Sequence, residues 1–173
     1  MSIYFIVDNK YSKELIEKLM SVVINKFVNV GKRPPVSSPV NVCSNKMGRF
    51  IKGGLGKGHC VVIVVDTEGE KPEDVKARII DEHLKDLEFN RERVKIITAH
   101  PCLEAWLAEL LNLNTRGVAN CKDVKDIIKR RIKDYESHLL PGLVERHLRS
   151  RLEAGDPPSF LMEIINAVRS CVT

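Results

Sequence analysis

A chain of 173 residues with 43% apolar and 29% charged side chains has the size and balance of one globular domain with a real core, with room for a small appendage. Its longest apolar run, 60–65, is far too short for a membrane-spanning helix, so no membrane role is expected. The net charge of +5 is unevenly spread, with basic residues crowded ahead of residue 60 and in the C-terminal third, which keeps nucleic acid among the candidate partners.

No basic region precedes the first apolar run, so a secretory signal is not expected. The five cysteines are odd in number and form no C-x-x-C pair, which argues against structural zinc. Cys60 and Cys102 lie in or beside apolar segments, where a free thiol behaves as a small hydrophobe. The expectation is reduced cysteines and a cytoplasmic setting.

Residues 3–7 form an apolar run that ends in Asp8 and Asn9. Ser12 reads as the N-cap of the helix that follows, with Leu15, Ile16, Leu19, Val22 and Val23 at helical spacing. Three prolines and a glycine make 30–39 a loop. A weak second strand is predicted over 40–43 and a short helix over 46–51, broken by the glycines of 53–58. That glycine cluster is not a phosphate loop, because Lys57 is followed by Gly58 and the strand comes afterwards. It reads as a basic connector from which Lys52 or Lys57 could reach a phosphate.

The run 60–65 is apolar, mostly β-branched, and ends in Asp66, Glu68 and Glu70. Such a run reads as a strand buried on both faces at the centre of a parallel sheet. Ligands gather beyond the carboxyl ends of such strands, and short acidic side chains there suit a hard divalent cation. The competing reading is a solvated loop whose acids favour the next helix N-terminus. That helix is predicted over 71–84, with Pro72 in its first turn and Val75, Ile79, Ile80 and Leu84 on its buried face.

A fourth strand is predicted over 94–98, ended by His100 and Pro101, with an apolar helix over 102–111. Glu104 sits in the first turn of that helix, either favoured there by the helix dipole or joining the acidic strand ends as a ligand or a holder of water. Trp106 and Leu107 read as core. His100 reads equally as a general acid or base, as a phosphate binder, or as a loop hydrogen-bonder. Beyond 114 only helix is predicted, over 122–136, over 139–152 and from 159 onward.

The predicted fold is α/β: a compact four-stranded parallel sheet with flanking helices over 1–113, and a C-terminal helical extension over 114–173 packed on the same domain. If the first and third strands are neighbours, Asp8, Asp66 and Glu68 converge on one sheet edge. Their mutual repulsion then calls for a cation or a basic partner. On a helix over 122–136, Lys122, Lys125, Lys129 and Lys133 share one stripe, either a phosphate-binding surface or a solvated face.

An acid after the first strand, Asp66-x-Glu68 after the third, and Pro101-x-x-Glu104-x-Trp106-Leu107 after the fourth resemble Toprim domains. The resemblance covers 3–113 and is nearest to small Toprim-like proteins related to overcoming-lysogenization-defect nucleases and RloB-type defence proteins. It implies a parallel sheet whose strand-end acids bind Mg²⁺ (or Mn²⁺) and support phosphodiester cleavage or transfer. Asp8 falls where that family has a glutamate, Asn9 replaces its glycine, and Glu68 stands for the second aspartate.

Two functions follow as expectations. One is a Mg²⁺-dependent nuclease or phosphodiester-transfer protein. Asp8, Asp66 and Glu68 would hold metal, and Asp8, Glu104 and His100 would do catalytic work. Lys52, Lys57, Lys125, Lys129 and Lys133 would contact DNA or RNA. The alternative is a catalytically weakened Toprim-like protein that binds nucleic acid or a partner, motivated by the shorter Asp8. A partner subunit or a second copy completing the site is left open.

Overall fold

The computed structural model describes residues 2–24 and 26–172. Three parallel strands, β1 (Ser2–Val7), β2 (His59–Asp66) and β3 (Val94–Ala99), lie in the order β1-β2-β3. The helices are α1 (Lys10–Val23), α2 (Asn45–Gly56), α3 (Pro72–Ile79), α4 (Glu104–Leu110), α5 (Cys121–Arg131), α6 (Leu140–Glu153) and α7 (Ser159–Val172). A π-helical turn, Ile80–Leu84, continues α3.

Side chains alternate across the sheet and divide the core in two. Ile3, Phe5, Val7, Cys60, Val62, Val64 and Ile97 face the layer that holds α1 and α4 to α7. Ile6, Val61, Ile63 and Val65 face α2 and α3. Cys60 to Val65 are at most 1% exposed, so β2 is buried on both faces, as its unbroken apolar run requires. The helices beyond residue 114 share the first of these cores: α7 lies against all three strands, and α6 packs on α1 and α4.

The sheet has three strands, not the four expected. The segment predicted as a strand over 40–43 makes one bond to the sheet, Val40 N–H to the Val7 carbonyl at 3.0 Å, and then turns. The Asn41 side chain captures the Cys43 N–H at 2.8 Å, diverting the chain into α2. What lies beside β1 is a short irregular stretch, with a single bridge between Phe5 and Val36. Prolines 34, 35 and 39 lack the N–H donors that a longer ladder would use.

Other boundaries also differ. The helix α1 starts before Ser12, because Asn9 is its N-cap and accepts from the Ser12 N–H at 2.9 Å. The glycines do not break α2: it runs through Gly53 and Gly54 and ends at Gly56, with Gly58 beyond it. A Cβ on Gly54 would lie 2.8 Å from the Tyr4 ring and 3.0 Å from Val61, so the bare backbone lets helix and sheet approach. The helix α5 stops at Arg131, which lets Tyr135 turn inward to 1% exposure.

The expectation of free cysteines is overturned as well. Cys60 on β2 pairs with Cys171 on α7, and Cys102 pairs with Cys121, each with Cα atoms 5.6 Å apart. Cys43 is free and exposed. Separations of 111 and 19 residues leave no local pattern to read. Among the described residues, no helix is long and apolar enough to cross a membrane.

Candidate metal centre at the strand ends

Because β1 and β2 are parallel neighbours, with Val7 opposite Val64, the acids that follow them emerge at the same sheet edge. The Asp66 N–H donates to Asp8 Oδ2 at 2.8 Å. Asp8 Oδ1 accepts from Ser12 Oγ and from Asn9 Nδ2, both at 3.0 Å. The first turn of α1 therefore orients the Asp8 carboxylate. Asp66 Oδ1 accepts from the Leu103 N–H at 3.0 Å, just ahead of α4, while no donor to Oδ2 is seen among the described residues.

Glu68 follows in a left-handed conformation, φ 52°, with its N–H bonded to the Pro101 carbonyl at 2.9 Å. Gly69 continues the turn at φ 91°, where a Cβ would meet the Ala119 carbonyl oxygen at 2.7 Å. Asp8, Asp66 and Glu68 line one cleft of about 240 Å³, together with Asn9, Thr67 and Glu70. Arg78 closes one wall, its Nη1 reaching both Glu70 oxygens at 3.1 and 2.9 Å.

Burial and repulsion dominate the electrostatics. Loss of water, then the charges of Asp8, Glu104 and Glu68, push the Asp66 carboxyl up to about 8. Burial also raises Asp8, against the lowering effect of its donors, Asp66 N–H and Ser12. In the metal-free chain at neutral pH, Asp66 therefore holds a proton.

The donor set fits a hard divalent cation, being all carboxylate oxygen. Asp8 and Asp66 are the pair linked directly, through the Asp66 N–H. Glu68 shares their cleft, but the three do not form a group of ligand atoms within 4.8 Å of one another.

Glu104, 5% exposed, stays beside Asp66: both line a second pocket of about 180 Å³ with Asn9, Tyr11, Cys121, Lys125 and Ser137, and the Glu104 charge contributes to raising the Asp66 carboxyl. The other expected site residues lie elsewhere. His100 is exposed, its Nδ1 2.7 Å from Thr67 Oγ1, and it lines a separate cleft with Trp106, Glu109 and Arg116. Trp106 stacks on Phe160 at 4.8 Å between ring centroids, as a core residue does.

Lys57 lines a cleft with Tyr4, Arg49 and His59 at the amino end of the sheet. The eight residues of β2 put that cleft roughly 23 Å from Asp66. Lys52 is exposed on α2. Lys125 turns inward to Glu104, with Nζ 3.6 Å from Oε1. Lys129 is exposed on α5, whereas Lys133 falls past the helix end and off the expected stripe.

Sequence reasoning missed the groups that orient the acids. Asn9 and Ser12 bear the signal of a helix start, one residue type at each end of the first turn, and only the choice of cap was wrong. The Leu103 N–H leaves no mark in a sequence.

No protein-family model matches the chain, and no curated protein matches it. Among solved structures, the chain is similar to the C-terminal region of the Xanthomonas campestris pv. campestris OLD protein. That likeness has 12% identity and a TM-score of 0.43, covering 96% of this chain and 93% of the other. It is also similar to the C-terminal region of the Burkholderia pseudomallei OLD protein, at 14% identity, a TM-score of 0.46 and 98% coverage of both chains.

Proposed function

We propose that this protein is a divalent-cation-dependent phosphodiester-cleaving or phosphodiester-transfer protein acting on nucleic acid, with Mg²⁺ or Mn²⁺ held by Asp8 and Asp66 and assisted by Glu68. The observation that carries the reading is the Asp8–Asp66 pair. The two carboxylates are partly buried and linked through the Asp66 N–H, and loss of water, reinforced by the Asp8 and Glu104 charges, pushes the Asp66 carboxyl up to about 8, so that it holds a proton at neutral pH. A bound cation replaces that proton and relieves the repulsion.

The residues divide the work by position. Ser12, Asn9 and the Asp66 N–H fix Asp8, and the Leu103 N–H fixes Asp66, so neither carboxylate has to reorganise on binding. Asp66 would hold the cation as a carboxylate, its proton passing to solvent. When bound, the cation neutralises the cleft and polarises a phosphoryl oxygen, without which a phosphodiester would be repelled by these acids. His100, held by Thr67 Oγ1, lines the neighbouring cleft, where its imidazole could contact a phosphate. Exposed Lys129 and Lys52 offer charge to a phosphate backbone.

Incubating the protein with plasmid DNA and with single-stranded RNA, each with Mn²⁺ or with chelator, tests the reading. Cleavage that needs the cation and is lost in Asp66→Asn is the expected result. Cation-independent cleavage, or activity retained in Asp66→Asn, contradicts it.

One observation favours the weakened-binder alternative: both oxygens of Asp8 already accept protein hydrogen bonds. On that reading, nucleic acid binds in a salt-dependent way and stays intact with Mn²⁺ present.

A further inference from the structure

In the pocket it shares with Asp66, Glu104 has two differently treated oxygens. Oε1 accepts from Ser137 Oγ at 3.0 Å and Tyr135 OH at 3.3 Å, and lies 3.6 Å from Lys125 Nζ. Oε2 has one neighbour, Cys121 Sγ at 3.5 Å. In the disulfide with Cys102 that sulfur carries no proton, so among the described residues Oε2 is left without a donor on a side chain only 5% exposed. The lone oxygen faces the two sulfurs. Ligand atoms of Cys102, Glu104 and Cys121 all lie within 4.8 Å of one another.

We propose that reduction of the Cys102–Cys121 disulfide turns these three residues into a site for a soft divalent cation of the zinc class, with a ligand set distinct from the Asp8–Asp66 pair though its pocket borders Asp66. Two thiolates and one carboxylate are a ligand set that zinc takes and magnesium does not. Glu104 is prepared as a single-oxygen ligand, since Tyr135 and Ser137 hold Oε1 and leave Oε2 free, as outer-shell partners orient metal ligands elsewhere. The charges also close. Three negative ligands around a divalent ion leave one negative charge, and the Lys125 ammonium offsets it. The adjoining pocket of about 180 Å³ leaves room for a fourth ligand from solvent.

The chemistry balances with a dithiol as reductant. The S–S bond breaks, each sulfur gains an electron and a proton, and the dithiol is oxidised to its own disulfide. On metal entry each thiol gives its proton to solvent.

Titrating the phosphine-reduced protein with Co²⁺ tests this, because thiolate ligation gives a near-ultraviolet charge-transfer band. The band should saturate at one equivalent, be displaced by Zn²⁺, and be absent from the oxidised protein. It should survive Cys43→Ser, vanish in Cys102→Ser and in Cys121→Ser, and need roughly tenfold more cobalt in Glu104→Gln. If the cysteine variants do not fold, the reduced wild type still decides. Zn²⁺ should then slow alkylation of Cys102 and Cys121, but not Cys43, as read by peptide mass. No band in the reduced protein, a band that persists in Cys102→Ser, or alkylation unaffected by Zn²⁺ would each overturn the proposal.

Discussion

At the residue scale, Asp66 makes pH a probe of the site. Its carboxyl titrates near 8 in the folded chain, against an ordinary value of 3.8. Between those values the native state binds more protons than the unfolded one, so this group's contribution lowers stability as pH rises from about 4 to about 8. Asp66→Asn removes that penalty and keeps an acceptor for the Leu103 N–H. Without metal, the variant should melt above the wild type at pH 8, by an amount on the order of 1–3 kcal/mol, and closer to it at pH 5. Thermal melts at the two pH values check this. A variant that is less stable at pH 8 would make Asp66 a structural acceptor. For the same reason, cation affinity in the wild type should rise with pH up to about 8, because the ion competes with a proton. The acids themselves were legible, since each apolar run ends abruptly in carboxylate. Their donors were not, because Leu103 N–H reaches Asp66 across 37 residues and only the folded chain brings them together.

At the scale of elements, the α2 glycines give a contrast between adjacent positions. A Cβ on Gly53 meets nothing within 4 Å, whereas one on Gly54 meets Tyr4 and Val61. Gly53→Ala should stabilise the protein by about 0.5–1 kcal/mol through helix propensity. Gly54→Ala should destabilise it by about 1–3 kcal/mol by forcing α2 off the sheet. Chemical denaturation of both variants measures the difference, and equal shifts would refute the close approach. Composition alone reads these glycines as a break, because propensity is local and the packing that overrides it is not.

The basic helix shows the same limit. A 3.6-residue period put Lys125 on an outer stripe, yet it turns inward to buried Glu104. Reversing Lys125 would therefore confound binding with folding, and the exposed residues Lys122 and Lys129 make the fair test. Their double change to Glu should weaken DNA or RNA binding across sequences and reduce its salt dependence, with little effect on stability. Unchanged affinity and salt slope would leave α5 a solvated face.

At the scale of the whole molecule, the two disulfides tie the C-terminal helices to the sheet domain. The one from Cys60 to Cys171 closes a far longer loop than the one from Cys102 to Cys121, with separations of 111 and 19. Loop entropy assigns them about 4–5 and about 3 kcal/mol. Cys171→Ser should therefore lower the denaturation midpoint more than Cys121→Ser under oxidising conditions, and a reversed order would contradict that account. The parallel sheet was legible because β2 is apolar without a break from Cys60 to Val65. Its strand count was not, since 40–43 has strand-forming residues but an Asn41 side chain that turns the chain away. Nor was the covalent framework, whose cysteines are adjacent only in space.

The central claim is that Asp8 and Asp66, on neighbouring parallel strands, hold a divalent cation. Manganese binding by the oxidised protein at pH 8, followed by electron paramagnetic resonance, tests it with the cysteine ligands blocked. Saturable binding by the wild type that is lost in both Asp8→Asn and Asp66→Asn is the predicted result. No binding by the wild type, or equal binding by the folded variants, would contradict it.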